Sequence, residues 1–168
     1  MRRAMMLLLS LALASCSAPA AHVGHGGGAS TPAPGDEAAG MAPASAPGAV
    51  NPAVTQANIH QTICVPGWTA TVRPPVSYTD HLKAQQMAAL GLTGPASAYE
   101  EDHRIPLEAG GSPTSAMNLW PELWDGPRGA HSKDFIENRV HTSICAGRMT
   151  LAQGQAVFQG DWWTATVP

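Results

Sequence analysis

The spacing of apolar and polar residues changes character several times along this chain. From Ala4 to Ala14 nearly every position is apolar, preceded by Arg2 and Arg3. That run is too short to span a bilayer but suits the apolar region of an export leader. From Ser17 to about Val54 the residues are Ala, Pro, Gly and Ser with almost no large apolar side chain. Such a segment cannot bury enough surface to offset the entropy of ordering, so it reads as a tether. Helical spacing begins next: Thr79 or Asp80 caps a run through Leu82, Met87 and Leu90 that ends at Gly91. Pro74-Pro75 enforces an extended entry. Ser97 to Ile105 reads as a strand whose pairing Pro106 ends or confines to an edge. Gly110-Gly111-Ser112-Pro113 is a turn, and Asn118-Leu119-Trp120 is a short second strand or loop lip stopped by Pro121. After a loop from Glu122 to Gly129, Phe135, Ile136, Val140 and Ile144 predict a helix over 130–144. Lys133, Glu137 and Asn138 then fall on its opposite face. Thr150 caps a last helix through Leu151, Ala156 and Val157 to Trp162.

Composition divides the chain into residues 1–15 as a signal peptide, 16–55 as a disordered tether and 56–168 as one small domain. All five Trp, both Tyr and both Phe lie in the last part. The small residues of Leu13-Ala14-Ser15 before Cys16 match a bacterial lipobox, which implies cleavage before Cys16 and acylation of its thiol. The expected location is the cell envelope, lipid-anchored through Cys16 alone, or otherwise the secreted fraction after ordinary cleavage near Ala18 to Ala21. A domain of this size has a limited core and benefits from a staple. Cys64 and Cys145 offer a disulfide suited to an oxidising compartment, contributing about 4 kcal/mol in the chain-entropy model. The repeated spacing His60-x3-Cys64 and His141-x3-Cys145 leaves structural zinc as the alternative. Trp68-Thr69-Ala70-Thr71-Val72 recurs as Trp163-Thr164-Ala165-Thr166-Val167 without similar flanks, and no repeat architecture is read from it. The formal net charge is −3, and from Asn51 onward seven Lys and Arg stand against ten Asp and Glu. That excludes the broad basic field of nonspecific nucleic-acid binders and leaves only a local patch, from Arg104, Arg128, Lys133, Arg139 and Arg148.

The chemistry concentrates in Asp102-His103-x-Ile105-Pro106-Leu107-x-x-Gly110-Gly111 followed by Asn118-Leu119. Strand, glycine turn, strand, loop and helix in this order resemble the HNH, or ββα-metal, endonuclease family. The likeness extends from Thr62-Ile63-Cys64-Val65-Pro66-Gly67-Trp68 to Asp161-Trp162, as in a subgroup of exported bacterial HNH-like proteins. The resemblance implies an α+β fold: a two-stranded hairpin plus helix, flanked by further helices and stapled by one disulfide. It also implies metal-dependent hydrolysis of phosphodiester bonds in nucleic acid, DNA ahead of RNA, with one divalent cation, Mg ahead of Mn or Zn. His103 is the expected general base, because imidazole titrates near neutrality. Asp102, on the opposite face of the strand, is the expected metal ligand, and Asn118 the brace that orients His103. The chain departs from the family where the helix histidine belongs, since that place falls at Pro127. His131 is then the expected second ligand, with Asp134 as the other candidate, and Arg104 and Lys133 are expected to meet phosphate. The alternative function is a catalytically inactive HNH-scaffold lipoprotein that serves as a binding module.

Overall fold

A computed structural model describes residues Gly40 to Pro168. The expected leader, Cys16 as the expected lipidation residue and the first part of the expected tether lie outside the described residues. The elements run in the order α1 (Trp68–Val72), α2 (Val76–Leu90), β1 (Tyr99–His103), β2 (Leu119–Leu123), α3 (Ala130–Cys145) and α4 (Leu151–Gln159). Short 3-10 turns occur at Gln56–Gln61, Ala96–Ala98, Leu107–Ala109 and Trp162–Thr164. The class is α+β with a ββα core, as the motif order implied.

Helix α2 begins directly after Pro75, three residues ahead of the expected cap, because the two prolines already set the extended backbone that precedes a first turn. It ends at Gly91 in the left-handed conformation, φ 68°, with the Leu92 N–H reaching back to the Met87 carbonyl at 2.9 Å. Strands β1 and β2 pair antiparallel, with Glu100 opposite Glu122, Asp102 opposite Trp120 and His103 opposite Leu119. Pro121 does not stop β2. It lies inside the strand opposite Glu101, which a two-stranded sheet tolerates because each strand keeps one free edge where a missing N–H costs nothing.

Helix α2 covers one face of the hairpin. Its Lys83 Nζ donates to the Tyr99 carbonyl at 3.1 Å and its Gln86 Nε2 to the Leu119 carbonyl at 2.9 Å. Helix α3 covers the other, through Lys133. The apolar core lies beyond, where Val140 and Ile144 of α3 meet Leu151 and Phe158 of α4, Ile105, and Ile59 and Ile63 from the start of the domain. Helix α4 is capped as expected: Thr150 Oγ1 accepts from the Gln153 N–H at 3.2 Å while the Gln153 side chain takes the Thr150 N–H at 2.8 Å. It stops at Gln159, short of Trp162, which sits in the following 3-10 turn. Cys64 and Cys145 form a disulfide with Cα atoms 5.6 Å apart, tying the start of the domain to the end of α3. The echoed pentapeptides share no structure, since Trp68–Val72 is helical and the second copy is a 3-10 turn followed by extended chain.

The described end of the expected tether is ordered. Residues 40–55 lie against the domain: Gly48 N–H donates to the Met117 carbonyl at 2.9 Å, Asn51 N–H to the Gly110 carbonyl at 2.8 Å, and Ala46 and Val54 are buried. Backbone hydrogen bonds and small side chains hold this stretch, which is why a search for large apolar residues passes over it. Among the described residues, no helix is long and apolar enough to cross a membrane.

Candidate active site

The loop between the two strands is built around Asn118. This side chain is fully buried; its Oδ1 accepts the Ile105 N–H at 2.9 Å, and its Nδ2 donates to the carbonyls of Ile105 and Ser112 at 3.0 and 2.9 Å. Those bonds close the loop on itself. Gly110 takes the left-handed conformation, φ 77°, after the turn Leu107–Ala109. A Cβ at Gly111 would collide with the Ile105 carbonyl and crowd Asn118 Nδ2. The paired glycines are thus required twice over, once for a turn and once for close approach.

The loop so held presents the Pro113 carbonyl to His103 Nε2 at 3.0 Å. A carbonyl only accepts, so Nε2 carries the hydrogen and Nδ1 keeps a lone pair. Burial holds the imidazole below its usual titration range, which keeps it neutral and able to take a proton. His103, itself only 3 % exposed, lies at the wall of a groove between β1, α2 and the segment before α2, which Arg73, Lys83, Glu100, Glu101 and Trp124 also line. Glu101 is 8 % exposed, and neither of its carboxyl oxygens has a hydrogen-bond partner. Burial pushes this carboxyl up to about 8. Arg73 is exposed and forms no salt bridge among the described residues, and its charge reaches His103.

Asp102 points to the other face of the strand, toward α3. Its Oδ2 lies 2.5 Å from Lys133 Nζ, which also donates to Glu137 Oε1 at 2.5 Å and to the His103 carbonyl at 2.9 Å. All three ammonium hydrogens are therefore used. Glu122 Oε2 stands 4.0 Å from the same nitrogen with no hydrogen on offer, and its side chain is fully buried. Burial raises the Glu122 and Glu137 carboxyls, reinforced by the Asp102 charge. Burial works upward on Asp102 too, but the Lys133 ammonium outweighs it and holds that group low. On Lys133 burial works downward and is outweighed by Asp102, Glu137 and Glu122, which keep it charged.

This corrects three expectations. Lys133 is not on the outer face of its helix and cannot meet phosphate; it is 1 % exposed. Arg104 is not a substrate contact either, for its guanidinium donates to the carbonyls of Phe158, Ala46 and Gln159 at 3.0, 2.9 and 2.6 Å, clamping the end of α4. The third concerns the metal. His131 is exposed on the first turn of α3, its Nδ1 3.2 Å from Asp125 Oδ1 and its ring 5.2 Å from that of Trp124. Asp134 is exposed one residue beyond Lys133. Asp102, His131 and Asp134 do not converge. Among the described residues, the one set of three or more ligand atoms within 4.8 Å of one another is Cys64, His141 and Cys145. That group could hold a metal ion in its thiol form, with His141 Nε2 donating to the Ile63 carbonyl at 2.8 Å and Nδ1 left as ligand. In the disulfide the two sulfurs are bonded to each other and supply no thiolate. The magnesium ligand set expected on the strand and helix does not fit the residues found there.

Glu101, Glu122, Glu137 and Arg73 were not singled out by the motif. The Lys133–Glu137 spacing of four carries the helix signal for an ion pair, and the strand register alone puts Glu122 on the face of Asp102. Nothing in the sequence marks Arg73.

Fold and site together define an α+β chain with a ββα core that presents a histidine at the end of its first strand. Compared with family models, with curated proteins and with solved structures, the chain matches none.

Proposed function

We propose that this chain cleaves phosphodiester bonds of nucleic acid outside the cytoplasm, as an HNH-like endonuclease held to the envelope through lipid on Cys16. The observation that carries the reading is His103: a neutral imidazole whose Nε2–H is tied to a loop carbonyl, whose Nδ1 is available as a base, and which lies at the wall of a groove. The Asn118-braced loop that holds it agrees with the role this residue type has in the family the motif resembles. Arg73, exposed beside His103, is the cation placed to meet a phosphate from the groove side. A divalent cation is part of the expectation from the resemblance, but Asp102 is engaged by Lys133, and no step here is routed through a metal. Export is supported by the leader and by the Cys64–Cys145 disulfide.

One observation favours the second reading, an inactive scaffold that binds without cutting. A buried ammonium stands against the carboxylate where the resemblance puts a metal. Both readings meet in one experiment: plasmid DNA and single-stranded RNA incubated with the full chain, in Mg, Mn, Zn or EDTA, with His103→Ala in parallel. Cutting that His103→Ala abolishes supports the enzyme. A folded, disulfide-intact sample that cuts neither substrate in any condition leaves the binding module.

A further inference from the structure

We propose that Cys64, Cys145 and His141 form a redox-gated zinc site, shut while the disulfide stands and loaded with one zinc ion once a dithiol has reduced it. The site shares no residue with the His103 groove and stands apart from the phosphodiesterase reading.

The first support is convergence. The two sulfurs and a ring nitrogen of His141 all lie within 4.8 Å of one another, and all three residues are half-buried. Around a tetrahedral zinc, two thiolates and an imidazole stand about 3.5–4 Å apart. Side-chain rotation reaches that spacing once the S–S bond is broken. The donor set also selects the ion, since two thiolates and an imidazole suit zinc, whereas magnesium and calcium take oxygen donors.

The second support is that bonds other than the disulfide hold the ligands in place. His141 and Cys145 are one turn apart on α3, whose Val140 and Ile144 are fully buried. Cys64 follows Ile63, which is buried, and its own N–H donates to the Ile59 carbonyl at 2.9 Å. His141 Nε2 donates to the Ile63 carbonyl at 2.8 Å, which ties the Cys64 segment to the helix without using a sulfur. The same bond leaves Nδ1 with the lone pair that a metal needs. Breaking the S–S bond therefore keeps the three ligands together. His60, which repeats the spacing to Cys64, is exposed and outside the group, so water takes the fourth position.

In the step, a thiolate of the dithiol attacks one of the half-buried sulfurs and the S–S bond breaks. Two electrons pass to Cys64 and Cys145, which become thiols, and the reductant becomes a disulfide. Zinc then forms two Zn–S bonds and one bond to His141 Nδ1, and the two thiol protons go to solvent. The product is a metal staple between the start of the domain and the end of α3, in place of the covalent one.

The test uses the full chain carrying Cys16→Ser, so that Cys64 and Cys145 are its only cysteines. One sample stays oxidised; the other is reduced with a dithiol and freed of it by gel filtration under argon. Zinc is titrated against a chromogenic chelator, and cobalt is added separately as a spectroscopic probe. Expected are one zinc per reduced chain, none on the oxidised chain, and a thiolate-to-cobalt charge-transfer band with the visible absorption of a four-coordinate ion. Zinc should also raise the melting temperature of the reduced chain and leave that of the oxidised chain unchanged. His141→Phe should weaken zinc binding by more than the about 10–100-fold that losing an outer partner of a metal ligand costs. No zinc on the reduced chain, equal zinc on the oxidised chain, or binding that His141→Phe leaves intact overturns the proposal; the last is also the mark of an unfolded chain binding through its thiols alone. If His141→Phe does not fold even when oxidised, alkylation of the reduced parent decides. Zinc should slow the reaction of both thiols with iodoacetamide by about 10-fold or more, and equal rates with and without zinc overturn the proposal.

Discussion

Lys133 shows how much one side chain can decide. Its ammonium is buried with three hydrogens on three acceptors, and removing it would leave the Asp102 carboxyl inside the protein without its counter-ion. Breaking a buried pair from one side costs about 3–5 kcal/mol, so Lys133→Met should lower the urea midpoint steeply, measured by far-UV circular dichroism. A phosphate contact at that position would instead change activity and leave stability alone. Asn118→Ala removes three hydrogen bonds and leaves the Ile105 N–H and two carbonyls without partners. The expected loss is about 3 kcal/mol, together with the alignment of His103. Asp102, His103 and Asn118 were legible in the motif as residues, and the Asn118 brace was legible as a role. The partner of Asp102 was not, because a Lys 31 positions away can be matched to it only through the packing of α3 on β1.

Helix α3 explains why its inner face was misread. The inward positions Ala130, Lys133, Glu137, Val140 and Ile144 follow the helical repeat, but two of them are charged. A hydropathy pattern therefore rotates the stripe toward Phe135, which is 74 % exposed. Phe135→Ser should change stability by no more than about 0.5 kcal/mol, whereas Val140→Ala, at a fully buried site, should cost at least about 1 kcal/mol; thermal melts of the two variants separate the assignments. The hairpin behaves differently. Its turn was read from Gly110-Gly111 and its strand from the run before Pro106, because both signals are local. The end of β2 was missed for the same reason: Pro121 breaks a strand by local rules, and only the pairing partner shows which edge is free.

Over the whole molecule, the buried carboxyls set a pH dependence. Folding raises Glu100 to about 7 and Glu101 to about 8, chiefly by burial, and raises Glu122 and Glu137 in the same direction. The unfolded chain releases these protons near pH 4.3, so the folded state binds more of them above that value and stability falls as pH rises toward 8. Asp102, held low, acts oppositely and loses its contribution as pH falls below the ordinary carboxylate range. His103, also held low, removes stability below about pH 6.5. The raised carboxyls, which also include Glu108 and Asp134, outnumber it, so urea midpoints should peak at about pH 5 and decline toward pH 8, and Glu101→Gln should flatten the decline. Reducing Cys64–Cys145 should destabilise the domain by up to about 4 kcal/mol, read as a lower melting temperature in dithiothreitol. Lipid on Cys16 is checked by palmitate labelling of cells, which Cys16→Ser should abolish.

What could be read from the chain alone is what local chemistry controls: the capping Thr150, the glycine turn, the α+β class, and the Asp-His-Asn order. Neighbouring residues dictate those features through backbone geometry and periodicity. Which groups surround Asp102, how far the ordered segment before Thr55 reaches, and whether three candidate ligands meet at a point depend on contacts between distant segments. Those contacts are selected by packing and by the need to satisfy each buried charge, and Lys133 met that need with an ammonium where the motif pointed to a metal ion.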